Sequence, residues 1–268
     1  MKYNAITTFN KDGLNEYGIT FIDTYLKNFP KEIPLHVYFE NCDYEINDPR
    51  IIKHYHNIDL PKLLQFKEKY KNDLRANGKC PNELRKDKHK TFKWNAIRFA
   101  NKVYSIFHLA TIVPNETIIW IDADTIVHSL ISYDVFKTIV PENVALSYLG
   151  RGKKWPECGF YSLNLKFPEI IEFINLFEWY YENAEQGIFT LDEWHDSYVF
   201  NVVLKLIKQK YPQLPIKDFS GHLINGEGHP LINSELGAYL DHLKGNRKQL
   251  GKSKQSDLII NRTEDYWK

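Results

Sequence analysis

The chain has little cysteine. Cys42, Cys80 and Cys158 are its three thiols, unevenly spaced and in no Cys-x-x-Cys pair. That argues against a disulfide framework or a thiolate zinc site and fits a reducing compartment. An excess of charge of one sign is also missing: the formal charge is +1 and the pI about 7.7. No global field therefore draws the protein to nucleic acid or to an anionic membrane, although a local basic patch stays possible. No apolar run approaches the about 20 residues that span a bilayer, so no integral membrane segment is expected. The first residues, "MKYNAITTFN", carry one lysine and no long apolar region after it, which does not read as a secretory signal. Internal repeats, low-complexity tracts and obvious linkers are absent as well. One cytoplasmic domain over residues 1–268 is the expectation.

What is present is a globular composition, 43% hydrophobic and 26% charged, with 15% aromatic residues. "YNAITTF" (Tyr3 to Phe9) reads as a strand. "ITFIDTYLKNF" has helical spacing and is stopped by Pro30, and "PLHVYFE" and "RIIKHYH" read as further strands. This β-α-β opening predicts an α/β fold with a mixed, mainly parallel sheet flanked by helices. Residues 61 to 92 are charged and broken by Gly78 and Pro81, giving a helix near Lys62 to Lys71 and then a solvated loop. "KWNAIRFANKVYSIFHLAT" predicts an amphipathic helix that feeds the continuous apolar strand "ETIIWIDAD". Strands follow at "NVALSYLG" and "GFYSLNL". A helix is expected from Pro168 to Gly187, another in "DEWHDSYVFNVVLKLIKQK", and little periodicity from Lys217 onward.

Asp122 and Asp124 stand at the carboxyl end of that apolar strand, where open α/β sheets bind ligands. Two hard oxygen ligands on alternate residues can share one Mn²⁺ or Mg²⁺ if the chain bends just past the strand. The bland alternative is a polar strand end capping a turn. Far downstream, "HLKGNRK" places His242, Gly245 and Lys248 at H-x-x-G-x-x-K spacing. An imidazole can complete a divalent-metal site, a glycine admits backbone to a phosphate, and a lysine adds a point charge. Alone that heptapeptide is an ordinary basic turn; with the Asp pair it becomes the second half of a site. His222 and His229 are rival third ligands.

These stretches resemble a family. "IIWIDADTIV" is similar to the Asp-x-Asp strand of GT-A-fold glycosyltransferases. His242, Gly245 and Lys248 resemble the C-terminal motif of glycosyltransferase family 8, the glycogenin and lipopolysaccharide galactosyltransferase group. "ECGFYSLNL" matches that group's Asn-Ala-Gly segment at Gly159, Asn164 and Leu165, and "DSYVFN" matches its Asp-Gln-Asp segment at Asp196 and Asn201. The chain departs from the pattern at Glu157, Ser197 and Tyr198, and has Gln249 and Leu250 where Pro-Trp usually follows. The resemblance implies a GT-A-type, Rossmann-like fold and a Mn²⁺- or Mg²⁺-dependent transfer from a nucleotide sugar, commonly a UDP-sugar. Retention of anomeric configuration is expected, with inversion left open. Residues 1 to about 125 would form the nucleotide-binding half. Residues from about 126 to 268 would form the acceptor half and a segment closing over the donor. Asp122, Asp124 and His242 would be metal ligands. Ala123, Gly245 and Lys248 would lie against the donor diphosphate.

Further candidates rest on chemistry and position. Asp196, with Ser197 beside it, would bind an acceptor hydroxyl or act as a base, or else pair locally with His195. Glu157 would orient a sugar or form a loop salt bridge. Trp155 and Trp194 would stack on a sugar face or simply pack. Lys93 and Arg98, on the helix before the Asp strand, would face nucleotide phosphates. Thr7, Thr8 and Phe9, at the end of the first strand, would hold the base. Two other readings compete: a sugar-nucleotide nucleotidyltransferase, and a non-catalytic sugar-binding module. The first would want a Gly- and Arg/Lys-rich loop where "TTFNKDGLNEYG" stands. The acceptor is left open among a glycan, a lipid-linked sugar, a protein and a modified nucleic-acid base.

Overall fold

A computed structural model describes residues 2–223 and 228–268. The chain opens with β1 (Tyr3–Asn10), then a helical turn and a π-helical stretch, Leu14–Gly18, that runs into α1 (Ile19–Asn28). Phe29 leaves the helical region and Pro30 follows it, so the helix cannot continue. β2 (Leu35–Glu40), β3 (Ile51–Tyr55) and α2 (Pro61–Tyr70) come next, the last started by proline at its first position. α3 (Ala96–Ile112) is capped by Asn95, whose side chain accepts the Arg98 amide at 3.0 Å. Such a cap is worth about 1 kcal/mol. Then follow β4 (Thr117–Ile121), β5 (Thr125–Val127), α4 (Tyr133–Ile139), β6 (Leu146–Arg151) and β7 (Lys154–Asn164). α5 (Pro168–Glu182), α6 (Asp196–Lys210), β8 (Ile216–Asp218) and β9 (Leu240–His242) complete the framework.

Among the described residues seven strands form one sheet in the order β3-β2-β1-β4-β7-β6-β8. β3, β2, β1 and β4 run parallel, β7 is antiparallel to both its neighbours, and β8 is parallel to β6. The architecture is therefore α/β with a mixed, mainly parallel sheet flanked by helices, as the sequence led one to expect. Both faces of the sheet are covered, which is why "TIIWI" is apolar throughout. Ile118 and Trp120 of β4 join a core under α3, α5 and α6, whereas Ile119 and Ile121 join a second core with Phe21, Ile22 and Phe136. No helix among the described residues is long and apolar enough to cross a membrane.

Some boundaries differ from the sequence reading. α5 ends at Glu182 rather than Gly187, because Asn183 leaves helical geometry and a turn carries the chain on. α6 begins at Asp196, with Asp192–His195 outside it and His195 Nδ1 capping the Tyr198 amide at 3.3 Å. β9, in the stretch with no periodicity, pairs with β5 as a separate two-stranded ribbon, Thr125 opposite His242.

Candidate functional site

The chain bends as soon as β4 ends. The Asp122 amide donates to the Gly159 carbonyl at 2.8 Å, and the Thr125 amide returns to the Asp122 carbonyl at 3.1 Å. Both aspartates are thus held at the mouth of the sheet, in the position that open α/β sheets use for ligands. The β5–β9 ribbon then delivers the far motif. With Thr125 paired to His242 and the Leu243 amide donating to the Asp124 carbonyl at 2.7 Å, the imidazole has little choice of place. His242 Nε2 lies 3.0 Å from Asp124 Oδ1 and 3.6 Å from Asp122 Oδ2. Lys248 Nζ lies 3.2 Å from Asp124 Oδ2. A cleft of about 560 Å³ opens over this group. Arg98, Trp155, Glu157, Asp196, Ser197 and Gly245 also line it.

Three carboxylates surround one imidazole, since Glu157 Oε2 lies 3.3 Å from His242 Nδ1. Burial alone would push the His242 imidazole down, but Asp124 and Glu157 outweigh it and hold the imidazole up at about 10. Burial likewise works to raise Asp124, yet His242 and Lys248 keep its carboxyl below the usual range. Asp122 goes the other way: burial raises it, against the pull of Lys102 and His242. Glu157 is opposed by burial but held well below the usual range by His242 and Lys244. Lys102, Lys244 and Lys248 each meet one of these carboxylates, and the raised histidine adds the charge that all three share.

The donor set fits a divalent cation. One ligand atom from each of Asp122, Asp124 and His242 lies within 4.8 Å of the others. An octahedral ion with bonds of about 2.1 Å spans ligands at about 3 Å to 4.2 Å, so small side-chain rotations suffice. Two carboxylates and one imidazole are the hard and borderline donors that Mn²⁺ or Mg²⁺ accept. The Nδ1 side of His242 faces Glu157, the arrangement that fixes a tautomer with Nε2 free for an ion. Ala123 is buried between the acids and brings no bulk toward the cleft.

Lys102 was not foreseen. Its ammonium, buried in the cleft lining, lies 3.0 Å from Asp122 Oδ1 and 2.8 Å from Asp196 Oδ2, and also donates to the Cys158 carbonyl. Asp122 Oδ1 accepts in addition from Trp120 Nε1 at 2.6 Å. The clue in the sequence is spacing: Lys102 shares a helix face with Ile106 and Leu109, and in the structure it is the charged member of the buried residues of α3. Asp196, opposed by burial, is held below the usual carboxylate range by Lys102 and His195. Tyr17 was also missed; Lys248 Nζ sits 4.2 Å from its ring centre, and burial followed by Asp124 lifts its phenol to about 12.

Other expectations are corrected. Lys93 lies in a 3₁₀ turn (Thr91–Trp94) before α3, not on that helix. Its Nζ is 2.5 Å from Glu193 Oε1 and 2.8 Å from Asp87 Oδ2, so it faces a structural ion cluster rather than phosphates. Arg98 does line the cleft, from an exposed position. Trp194 is 1% exposed and donates to the Leu191 carbonyl, which leaves no face for a sugar. Trp155 is half-buried on the cleft wall, edge-on to His195 at 5.1 Å. Thr7 and Phe9 are buried, and the Thr8 hydroxyl is engaged by the Tyr38 carbonyl and His56. His222 is turned to the Asn233 carbonyl at 2.9 Å. His229 stands beside His242, ring centres 5.1 Å apart, and burial followed by the charge of His242 pushes it down to about 3.

No protein-family model matches the chain, and no curated protein matches it. Among solved structures it is similar to apo mouse xyloside xylosyltransferase 1, at 12% identity and a TM-score of 0.48. That likeness covers 92% of this chain and 99% of the other. It is also similar to the apo form of the glycosyltransferase GlyE of Streptococcus pneumoniae TIGR4, at 10% identity and a TM-score of 0.42. There it covers 82% of this chain and 46% of the other, so the chain spans about half the length of GlyE.

Proposed function

We propose that the protein is a metal-dependent glycosyltransferase, a single GT-A-like domain that moves a sugar from a nucleotide sugar, a UDP-sugar by preference, to an acceptor. The observation that carries this reading is the convergence of Asp122, Asp124 and His242 within 4.8 Å at the end of β4, with Lys248 on Asp124. The sequence motifs, in their order along the chain, support it independently. Breaking a glycosyl–phosphate bond builds positive charge on the sugar and negative charge on the departing diphosphate. A divalent ion supplies charge neutralisation at that diphosphate when bound. Asp122, Asp124 and His242 would hold it, with Glu157 keeping a proton on His242 Nδ1. Lys248, half-buried beside Asp124, would exchange that carboxylate for the diphosphate as the donor enters. Gly245, at φ +66°, has no neighbour within 4 Å of where a Cβ would stand, which leaves backbone free to approach the phosphates.

Lys102 positions two acids at once. It tethers Asp122 on the metal side and Asp196 on the acceptor side, so neither can rotate out of the cleft. A carboxylate held below its usual range by a buried ammonium is a poor general base. Asp196 is therefore assigned to orientation of acceptor or donor hydroxyls, with Ser197 next to it, and retention is the proposed outcome. Trp155 offers an aromatic face for an acceptor sugar. Base recognition at Thr7, Thr8 and Phe9 would fall on their backbone groups, since Thr7 and Phe9 are buried and the Thr8 hydroxyl is bonded.

The test is incubation with a panel of nucleotide sugars and Mn²⁺, following release of nucleoside diphosphate. Release that depends on Mn²⁺ and is lost in Asp124→Asn supports the reading. Conversion that needs added pyrophosphate and yields nucleoside triphosphate and sugar 1-phosphate would instead indicate nucleotidyl transfer, and turnover unchanged by chelator would overturn the metal role.

A further inference from the structure

His242 has two edges, and the ligand reading above uses only one. Behind it, Glu157, His229 and His242 form a second group whose ligand atoms lie within 4.8 Å of one another. These residues are 3%, 5% and 1% exposed. Neither ring nitrogen of His229 has a hydrogen-bond partner among the described residues. An unpaired buried polar group costs about 1–3 kcal/mol, so a ring left with two asks for a ligand. Nor is His229 there by slack. Its carbonyl accepts from the Asn233 amide at 3.2 Å and from Asn233 Nδ2 at 3.0 Å, and Asn233 Oδ1 in turn accepts the Ile259 amide at 2.7 Å.

The neighbouring backbone leaves the space open. A Cβ on Gly159 would stand 2.6 Å from the His242 ring and 2.9 Å from Glu157 Oε2, so any side chain there would close the gap between them. Glu157 is also oriented: Oε1 takes the Gly159 amide at 3.1 Å and faces Lys244 Nζ at 3.5 Å, which leaves Oε2 toward His242.

We propose that Glu157, His229 and the Nδ1 edge of His242 form a second divalent-cation site, distinct from the Asp122–Asp124 side, that takes borderline ions of the Zn²⁺ class. Two imidazoles and one carboxylate are a donor set that Zn²⁺ accepts with a fourth position left for water. A neutral imidazole ligates through one nitrogen and keeps its proton on the other. With an ion on Nδ1, Nε2–H donates to Asp124 across the observed 3.0 Å. With an ion on Nε2, Nδ1–H donates to Glu157 across 3.3 Å. The two sites therefore compete for one histidine, and a Zn²⁺-class ion behind it withdraws His242 from the ion in front. That competition rests on the proposed transferase reading; the site itself does not.

Crystals of the wild-type chain soaked in Zn²⁺, with anomalous data on both sides of the zinc edge, locate the ion directly. The expected result is an anomalous peak bounded by Glu157, His229 and His242. A water at that place, or a peak confined to Asp122 and Asp124, overturns the proposal. In solution, Zn²⁺ calorimetry on Asp124→Asn, which disables the front set, should show one equivalent bound. Adding His229→Gln should weaken it by more than about 10- to 100-fold, the range for losing a group that only supports a ligand, because a direct ligand is removed. Equal binding by the double variant overturns the proposal. Neither readout uses transfer activity, so a failure here is distinguishable from a failure of the transferase reading.

Discussion

Lys93 and Lys102 are equally enclosed, each 7% exposed, yet their surroundings differ in charge. Lys93 and Arg85 face Asp87 and Glu193, two lasting cations against two anions, with His195 also on Glu193 at 3.0 Å. That cluster pins the loop before α3 to the segment before α6. Lys102 alone faces Asp122 and Asp196, and the group widens to Asp124 and Glu157 against Lys248, Lys244 and a histidine driven to be cationic. A balanced buried cluster needs nothing more, and it reads as structure. One whose four carboxylates outnumber its three lysines, and which is balanced only by a proton held on His242, faces a cleft with a charge that an ion can replace, and it reads as a site.

The comparison can be broken by removing each charge in turn. Lys102→Met should have the largest effect, about 3–5 kcal/mol lost in urea denaturation, because two buried carboxylates are left unpaired. A shift under about 1 kcal/mol would mean that Asp122 and Asp196 do not depend on it. Asp124→Asn comes next: transfer should fall on the order of 100-fold, about 2.7 kcal/mol in the barrier, and the urea midpoint should fall less than in Lys102→Met. Lys93→Met should do the reverse, losing about 2–3 kcal/mol of stability while kcat stays within about a factor of three. Equal losses of activity from both lysines would erase the distinction between the two clusters.

The smallest effect sharpens the comparison through pH. In ion-free protein the His242 pKa is raised from 6.5 to about 10. Its contribution to stability is therefore complete below about pH 6.5 and is lost as pH rises through about 10. Thermal midpoints in chelator should fall across that window, and His242→Asn should flatten the fall. Mn²⁺ should flatten it too, since an ion replaces the proton as the positive charge. Lys93→Met leaves His242 and its carboxylates in place, so the fall should persist in that variant; the histidine of the Lys93 cluster, His195, faces Glu193 at 3.0 Å instead.

Much of the site was legible because its chemistry sits in short, spaced motifs. Asp122 and Asp124 interrupt an apolar strand, and the residue spacing of His242, Gly245 and Lys248 survives without knowledge of the fold. The β-α-β opening and the buried parallel strands were likewise carried by hydrophobic periodicity. The ribbon that joins the halves was not, because three residues, Leu240–His242, are too few to show a period. Lys93 and Arg98 stood out in the sequence and Lys102 did not, although all three are cations in one helical stretch before β4. Only the turn of the chain decides which one reaches Asp122. Trp194 was weighed as a sugar platform because side-chain type cannot reveal burial. The role of Glu157 as the group behind His242 required the antiparallel pairing of β4 with β7, which no local pattern announces.

The central claim is that Asp122, Asp124 and His242 hold a divalent ion through which the protein grips a nucleoside diphosphate. Calorimetric titration of the wild-type chain with UDP, in Mn²⁺ and then in chelator, tests it most directly. The account predicts binding that needs Mn²⁺ and disappears in Asp124→Asn. UDP binding of equal strength in chelator, or undiminished in that variant, would contradict it.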